Sequence, residues 1–173
     1  MAGAASIGQI FTQRVVIGVG DQAVANNPNV VLSTYALGSC IGVVMFDAHT
    51  LVGGILHIML PEAKLSPDKA KKNPAMFADT GLVQFFRNIQ GMGGNTRRSK
   101  LMLAGGASVL GSSDVFKIGS RNTAQVKAIL SRSGIRPVFT DTGGVNNRTL
   151  HLNLSTGVVE IKMPTGSKHI DLT

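Results

Sequence analysis

Tryptophan is missing from this chain and tyrosine occurs once, so aliphatic side chains must do most of the packing. The lone cysteine, Cys40, excludes an internal disulfide framework and any cysteine-rich metal site. No stretch approaches the roughly 18 uninterrupted apolar residues of a membrane span. The opening Met1-Ala2-Gly3-Ala4-Ala5-Ser6 lacks a basic segment leading into an apolar run. The expectation is a cytoplasmic chain with no signal peptide and no membrane insertion. Acidic residues are scarce too, nine Asp and Glu against 17 Lys and Arg, for a formal charge of +8. That balance favours anionic partners. The densest basic groups are Lys69, Lys71 and Lys72, then Arg97, Arg98 and Lys100. Both are short and lack interleaved aromatics for base stacking, so nucleic acid is not the expected partner.

What is present suits one compact domain. The chain has 173 residues, 43% of them hydrophobic and 15% charged, enough to bury a single core and offset the entropy of ordering. The first dozen residues show no periodicity, which predicts a loose segment over 1–13 and a single domain over 14–173. Strands are expected at Arg14–Val19, Val30–Ser33, Ile41–Phe46 and Leu51–Leu60, the last stopped by Pro61. Ile41–Phe46 is apolar enough to be buried on both faces. The polar, basic stretch Glu62–Asn73 reads as an exposed loop. Asn73-Pro74 then reads as the cap of a helix whose apolar positions are Ala78, Leu82, Phe85, Phe86 and Ile89, ended by Gly91. A strand at Lys100–Ala104 enters Gly105-Gly106. A second helix is expected from about Asn122 to Ser133, with Val126, Ile129 and Leu130 inward and Gly134 as its stop. The residues Ile118-Gly119-Ser120-Arg121-Asn122 read as its shaping and capping segment. Alternation of Leu150, Leu152 and Leu154, the turn Ser155-Thr156-Gly157, and alternation of Val159, Ile161 and Met163 predict a hairpin. The fold class is mixed α/β (α+β), strands at both ends and helices between.

Cys40 is the first candidate for chemistry. Taken alone, a single cysteine reads as a small buried hydrophobe. Gly38 and Ser39 precede it and Gly42 follows, so the backbone there is free to turn, and N–H groups of such a turn can hold a developing oxyanion. A cysteine nucleophile needs a base, because the thiolate attacks and a free thiol ionises near pH 8.5. Of four histidines, His49 falls in a polar turn, His151 on the polar face of its strand and His169 in the C-terminal tail. His57 is enclosed by Ile55, Leu56, Ile58 and Met59, and must find a hydrogen-bond partner if buried. A hairpin turning at Asp47–Thr50 returns His57 toward Cys40. Ser33, Thr34, Asp47 and Glu62 all qualify as the group that orients the imidazole, and spacing leaves the choice open. Gly105-Gly106, Gly143-Gly144 and Gly91–Gly94 lack the Lys and Ser/Thr of a phosphate loop. Asp141, Gly143, Gly144 and Arg148 read as a turn with its ion pair. No metal or cofactor is expected.

These residues together resemble the CheD family of chemoreceptor glutamine deamidases. The resemblance is carried by Leu37-Gly38-Ser39-Cys40, Gly53-Gly54 with His57, Met59, Leu60 and Pro61, and Gly105-Gly106-Ala107. Ile118-Gly119, Arg121-Asn122, Asp141, Gly143-Gly144 and Arg148 extend it, in order, from about Val30 to Met163. It departs from the family at Leu56, where Asn is common. It implies a β-sandwich-like core flanked by helices, similar to the catalytic domains of deamidating toxins. It also implies a nucleophile at Cys40, a base at His57 and an orienting hydroxyl at Thr34, with Gly38 and Ser39 supporting the turn. The implied activity is hydrolysis of receptor glutamine side chains to glutamate and ammonia, with receptor cytoplasmic helices as substrate and a CheC-type phosphatase as second partner. The rival readings are an adaptor with vestigial catalysis, and a transglutaminase or receptor methylesterase on the same site. Receptor signalling helices are commonly acidic, so the positive charge is expected to speed association. Turnover on receptor fragments should therefore fall markedly as salt is added, and a flat response would remove that role for the charge.

Overall fold

The computed structural model describes residues 12–110 and 115–173. The expected loose segment lies outside them except for Thr12 and Gln13, and Gln13 already opens a strand. In chain order the elements are β1 (Gln13–Ile17), β2 (Gln22–Ala25), β3 (Val30–Leu37), β4 (Ile41–Asp47) and β5 (Val52–Ile58), then α1 (Pro67–Lys72) and α2 (Ala78–Gly91). They continue with β6 (Lys100–Gly105), α3 (Ile118–Arg132), β7 (Phe139–Thr142), β8 (Arg148–Asn153), β9 (Val158–Met163) and β10 (Gly166–Asp171).

The strands form two five-stranded sheets, one ordered β1-β3-β8-β9-β10 and the other β2-β5-β4-β6-β7. Pairing is antiparallel except for β1 with β3 and β6 with β7. Alternation along the central strands sorts the core into two layers. Val44, Phe46, Ile55, Met102 and Ala104 face the first sheet, meeting Leu32, Leu150, Leu152 and Ile161. Val43, Met45, Leu56, Leu101 and Leu103 face the other way, onto Leu82, Phe85 and Ile89 of α2 and Val126 and Leu130 of α3. The second sheet is thus covered on both faces, and all seven residues of β4 and all seven of β5 are buried. This is the sandwich with flanking helices that the sequence led us to expect. Each large aliphatic or aromatic side chain so enclosed contributes roughly 1.5–3 kcal/mol.

Several boundaries differ from expectation, each for a local reason. Glu62–Asn73 is not a plain loop: it holds a 3-10 turn at Ala63–Leu65 and the short helix α1, though α1 buries no residue. Asn73 makes no side-chain cap. The Met76 carbonyl accepts the N–H groups of Met59 and Leu60, at 2.9 and 3.0 Å, so Pro74–Met76 stays a 3-10 turn and α2 starts after Phe77. Gly91 is the last residue of α2 rather than its stop, and the left-handed residue is Gly93, with φ of +95°. Helix α3 begins at Ile118 rather than near Asn122, and ends before Gly134 as expected. Strand β3 runs on to Leu37. Strands β2, β7 and β10 had no counterpart in the sequence reading, and β10 takes up what had read as the C-terminal tail.

Behind the second sheet's end, Arg148 and Asp141 form the expected ion pair, with 6% and 11% of their side chains exposed and 2.7 Å between Nη2 and Oδ1. The same guanidinium donates to the carbonyls of Gly105, Asn146 and Gly143. It therefore ties β6, β8 and the Gly143-Gly144 turn together. Asp141→Ala leaves that cation buried without its carboxylate. We expect a loss of about 3 kcal/mol or more, the range for breaking one side of a buried pair, read as a lowered urea midpoint at unchanged slope.

Candidate active site

Strands β1 and β3 run in parallel with Ile17 opposite Thr34. Thr34 is fully buried, and its hydroxyl donates to the Ile17 carbonyl at 2.8 Å. The same oxygen lies 2.7 Å from Nδ1 of His57, which reaches across from β5 in the facing sheet. A hydroxyl has one proton and lone pairs to spare. Since that proton goes to Ile17, Nδ1 must carry the hydrogen of the second bond. The tautomer of His57 is thereby set, and Nε2 is left with a free lone pair. Nε2 is buried and without a partner among the described residues.

Burial also fixes the charge. His57 is wholly enclosed, and desolvation pulls its pKa from 6.5 down to about 4. Desolvation raises the Cys40 thiol from 9.0 to about 11. Both groups are therefore neutral near pH 7, a thiol and an imidazole with an open nitrogen rather than an ion pair. Cys40 directly precedes β4, whose Gly42 is the register partner of His57. Its half-buried side chain packs against the core between the sheets, the side on which His57 and Thr34 meet. The expected β4–β5 hairpin is present, and it sets His57 level with Gly42, two residues along the chain from Cys40.

The turn carrying Cys40 is held through its carbonyls. Gly38 O accepts from the Ala107 N–H at 2.8 Å, Cys40 O from the Gly106 N–H at 2.8 Å, and Ser39 O from Nδ2 of Asn122 at 3.0 Å. A Cβ on Gly105, whose φ is +112°, would lie 2.1 Å from the Cys40 carbonyl oxygen; only glycine lets the wall behind the turn come so close. Among the described residues nothing engages the N–H of Ser39 or of Cys40. The sharp backbone comes from an unexpected residue. Ala36, not Gly38, is left-handed, with φ of +55°, where the β3–β8 register slips between Thr34 and Leu37.

The remaining candidates fall elsewhere. Ser33 points to the opposite face of β3 and bonds Nδ1 of His151 at 2.8 Å. His151 is buried, against the expectation of exposure, because Arg14 also donates to that nitrogen and the Tyr35 ring packs edge-on against it. Asp47 is not an orienter of His57: Arg98 grips it with three contacts of 2.7–3.1 Å and holds its carboxyl well below the usual range. Glu62 pairs with Lys64. His49 is exposed, as expected of its polar turn, and so is His169 on β10. Among the described residues no three or more His, Cys, Asp and Glu side chains gather to hold a metal, and no helix is long and apolar enough to cross a membrane. Asn122, read from the sequence only as part of a helix-capping segment and a family motif, is fully buried inside α3 and donates to both Ser39 O and Met59 O. Extending the inward stripe of Val126 and Leu130 back one turn lands on it.

Comparison with known proteins agrees on one family. The family model described as CheD chemotactic sensory transduction matches residues 59–163. A protein of Solibacter usitatus is 41% identical over 84% of this chain and 86% of its own length. Relatives in Syntrophus aciditrophicus and Pyrococcus abyssi are each 40% identical, over 88% and 93% of this chain and 95% and 98% of their own lengths. All three carry the name probable chemoreceptor glutamine deamidase CheD, numbered 1 in Syntrophus.

The buried neutral imidazole makes stability depend on pH. With its folded pKa at about 4 against 6.5 for a solvated imidazole, the unfolded chain binds the extra proton between those values. Stability then falls as pH drops from 6.5 toward 4, by at most on the order of 3 kcal/mol. Denaturant unfolding of the wild type and of His57→Gln across that window should show the slope reduced in the variant. Equal slopes would mean that His57 is not held neutral.

Proposed function

Because this chain belongs to the CheD family, we propose that it hydrolyses the side-chain amide of glutamines in chemoreceptor cytoplasmic helices, releasing glutamate and ammonia. The observation that carries the reading is the bond from His57 Nδ1–H to a Thr34 hydroxyl already committed to Ile17. It leaves a neutral Nε2 ready to take a proton from Cys40, the only thiol in the chain.

Cys40 Sγ attacks the carboxamide carbon as His57 Nε2 takes the thiol proton, and the carbonyl electrons move onto oxygen. The N–H groups of Ser39 and Cys40 stabilise that oxyanion. The imidazolium then gives its proton to the nitrogen, the C–N bond breaks, ammonia leaves, and a thioester remains. A water, deprotonated by the same Nε2, adds to the thioester, and collapse releases the glutamate carboxyl and restores the thiol. A neutral hydroxyl partner suits this sequence. It fixes the ring without the strong stabilisation of imidazolium that a carboxylate would provide, so the proton passes on readily to the leaving nitrogen. With both groups neutral at rest, attack waits for a substrate to enter. The thiol is kept from indiscriminate reaction. A CheC-type phosphatase is proposed as the partner competing for the same surface.

The test is mass spectrometry of receptor cytoplasmic fragments incubated with wild type, Cys40→Ala and His57→Ala. Conversion of glutamine to glutamate is expected with wild type alone. Thr34→Val should forfeit part of the roughly 100- to 10,000-fold that a positioned base supplies, while Thr34→Ser keeps most of the activity. No conversion with binding retained by all variants would instead make the domain an adaptor. Loss of a methyl ester, or transfer to an added amine, would reassign the chemistry at the same cysteine.

A further inference from the structure

Among the described residues three buried side-chain polar atoms have no partner: Thr50 Oγ1, His57 Nε2 and Asn122 Oδ1. The second is the proposed base. The third belongs to a residue on the inward stripe of α3, in line with Gly119, Val126 and Leu130. An aliphatic side chain there would avoid the cost of an unsatisfied carbonyl. What the amide does in return is on its other end: Nδ2 donates to Ser39 O and to Met59 O, each at 3.0 Å. One acceptor lies in the nucleophile turn, the other just beyond the strand that carries His57.

A trans peptide unit is planar, with C=O and N–H pointing in opposite directions. The Ser39 carbonyl, drawn back toward α3 by Asn122, therefore turns the Cys40 N–H of the same unit away from α3. We propose that Asn122 is a positioning residue: it aims the Cys40 N–H at the oxyanion and locks the nucleophile turn to the end of β5. Ala107 does the same for the neighbouring unit, since its N–H holds Gly38 O and so directs the Ser39 N–H. The main-chain donor of Ala107 is present whatever the side chain, whereas the second clamp depends on a single amide. This inference rests on the deamidase reading.

Two reactions of one thiol separate this role from a merely structural one. Amide hydrolysis builds negative charge on a carbonyl oxygen. Alkylation by iodoacetamide displaces iodide at a saturated carbon, builds no such charge, and reads only the thiol and its base. For Asn122→Ala we expect kcat on a receptor fragment to fall roughly 10- to 100-fold, the scale of a misplaced oxyanion donor. KM and the pH profile of Cys40 alkylation should stay close to wild type. Asn122→Ser, smaller and still polar, carries the same expectation should the alanine variant fail to fold. A variant as active as wild type would overturn the proposal. So would a parallel fall in kcat and alkylation, which would make Asn122 a support of the whole site. A wild type that leaves every glutamine intact would sink the deamidase reading itself, an outcome visible before any variant is compared.

Discussion

The single proton of the Thr34 hydroxyl sets which nitrogen of His57 carries hydrogen. Had it been free to rotate toward His57, Nδ1 could have accepted it, and Nε2 would carry the hydrogen and be useless as a base. The Ile17 carbonyl prevents this, and it is in place because β1 lies parallel to β3 with those two residues opposite. An edge strand thus decides the tautomer of a histidine in the facing sheet. Next door on β3, the opposite solution is realised: Arg14 has only donors, so His151 must accept at Nδ1 and carry its hydrogen on Nε2. Ser33 and Thr34, adjacent in the chain and facing opposite sides of one sheet, each meet a histidine, and the two imidazoles take opposite tautomers.

A second constraint works through the backbone. Three successive carbonyls, of Gly38, Ser39 and Cys40, are drawn toward Ala107, Asn122 and Gly106. The glycines at 105 and 106 permit the approach, and the buried Arg148 braces the Gly105 carbonyl from behind. The turn at Cys40 is thereby backed by residues from β6, α3 and β8, none of which would be named from the spacing of cysteine and histidine alone.

How far the sequence disclosed this varies with how much of each element is buried. The leucine alternation of β8 and the stripe of Val126 and Leu130 on α3 were plain, because those elements fill the core with large apolar side chains. The overlooked strands β2, β7 and β10 are three of the four sheet edges. An edge has a neighbour on one side only and is free to be short and polar, as in the Phe139–Thr142 segment, so no periodic signal marks it. Helix α1, with no buried residue, has no stripe to detect. At the site, Cys40 and His57 stood out for their glycine-rich and apolar settings. Choosing among Ser33, Thr34, Asp47 and Glu62 was beyond spacing, since it depends on which face of β3 looks inward and on Arg98 claiming Asp47. The family resemblance named Thr34, and the bond to His57 gives that choice a geometry.

Strand β3 owes one of its two neighbours to the far end of the chain: Thr34 pairs with Leu150, 116 residues later. Contacts of such long separation form late, after the entropy of closing the intervening loop has been met. A chain made only as far as β5 carries Thr34, Cys40 and His57, yet it lacks the strand that steadies Thr34 and the helix that grips Ser39. Thr34 is therefore fixed in place only once β8 has been made and has paired with β3.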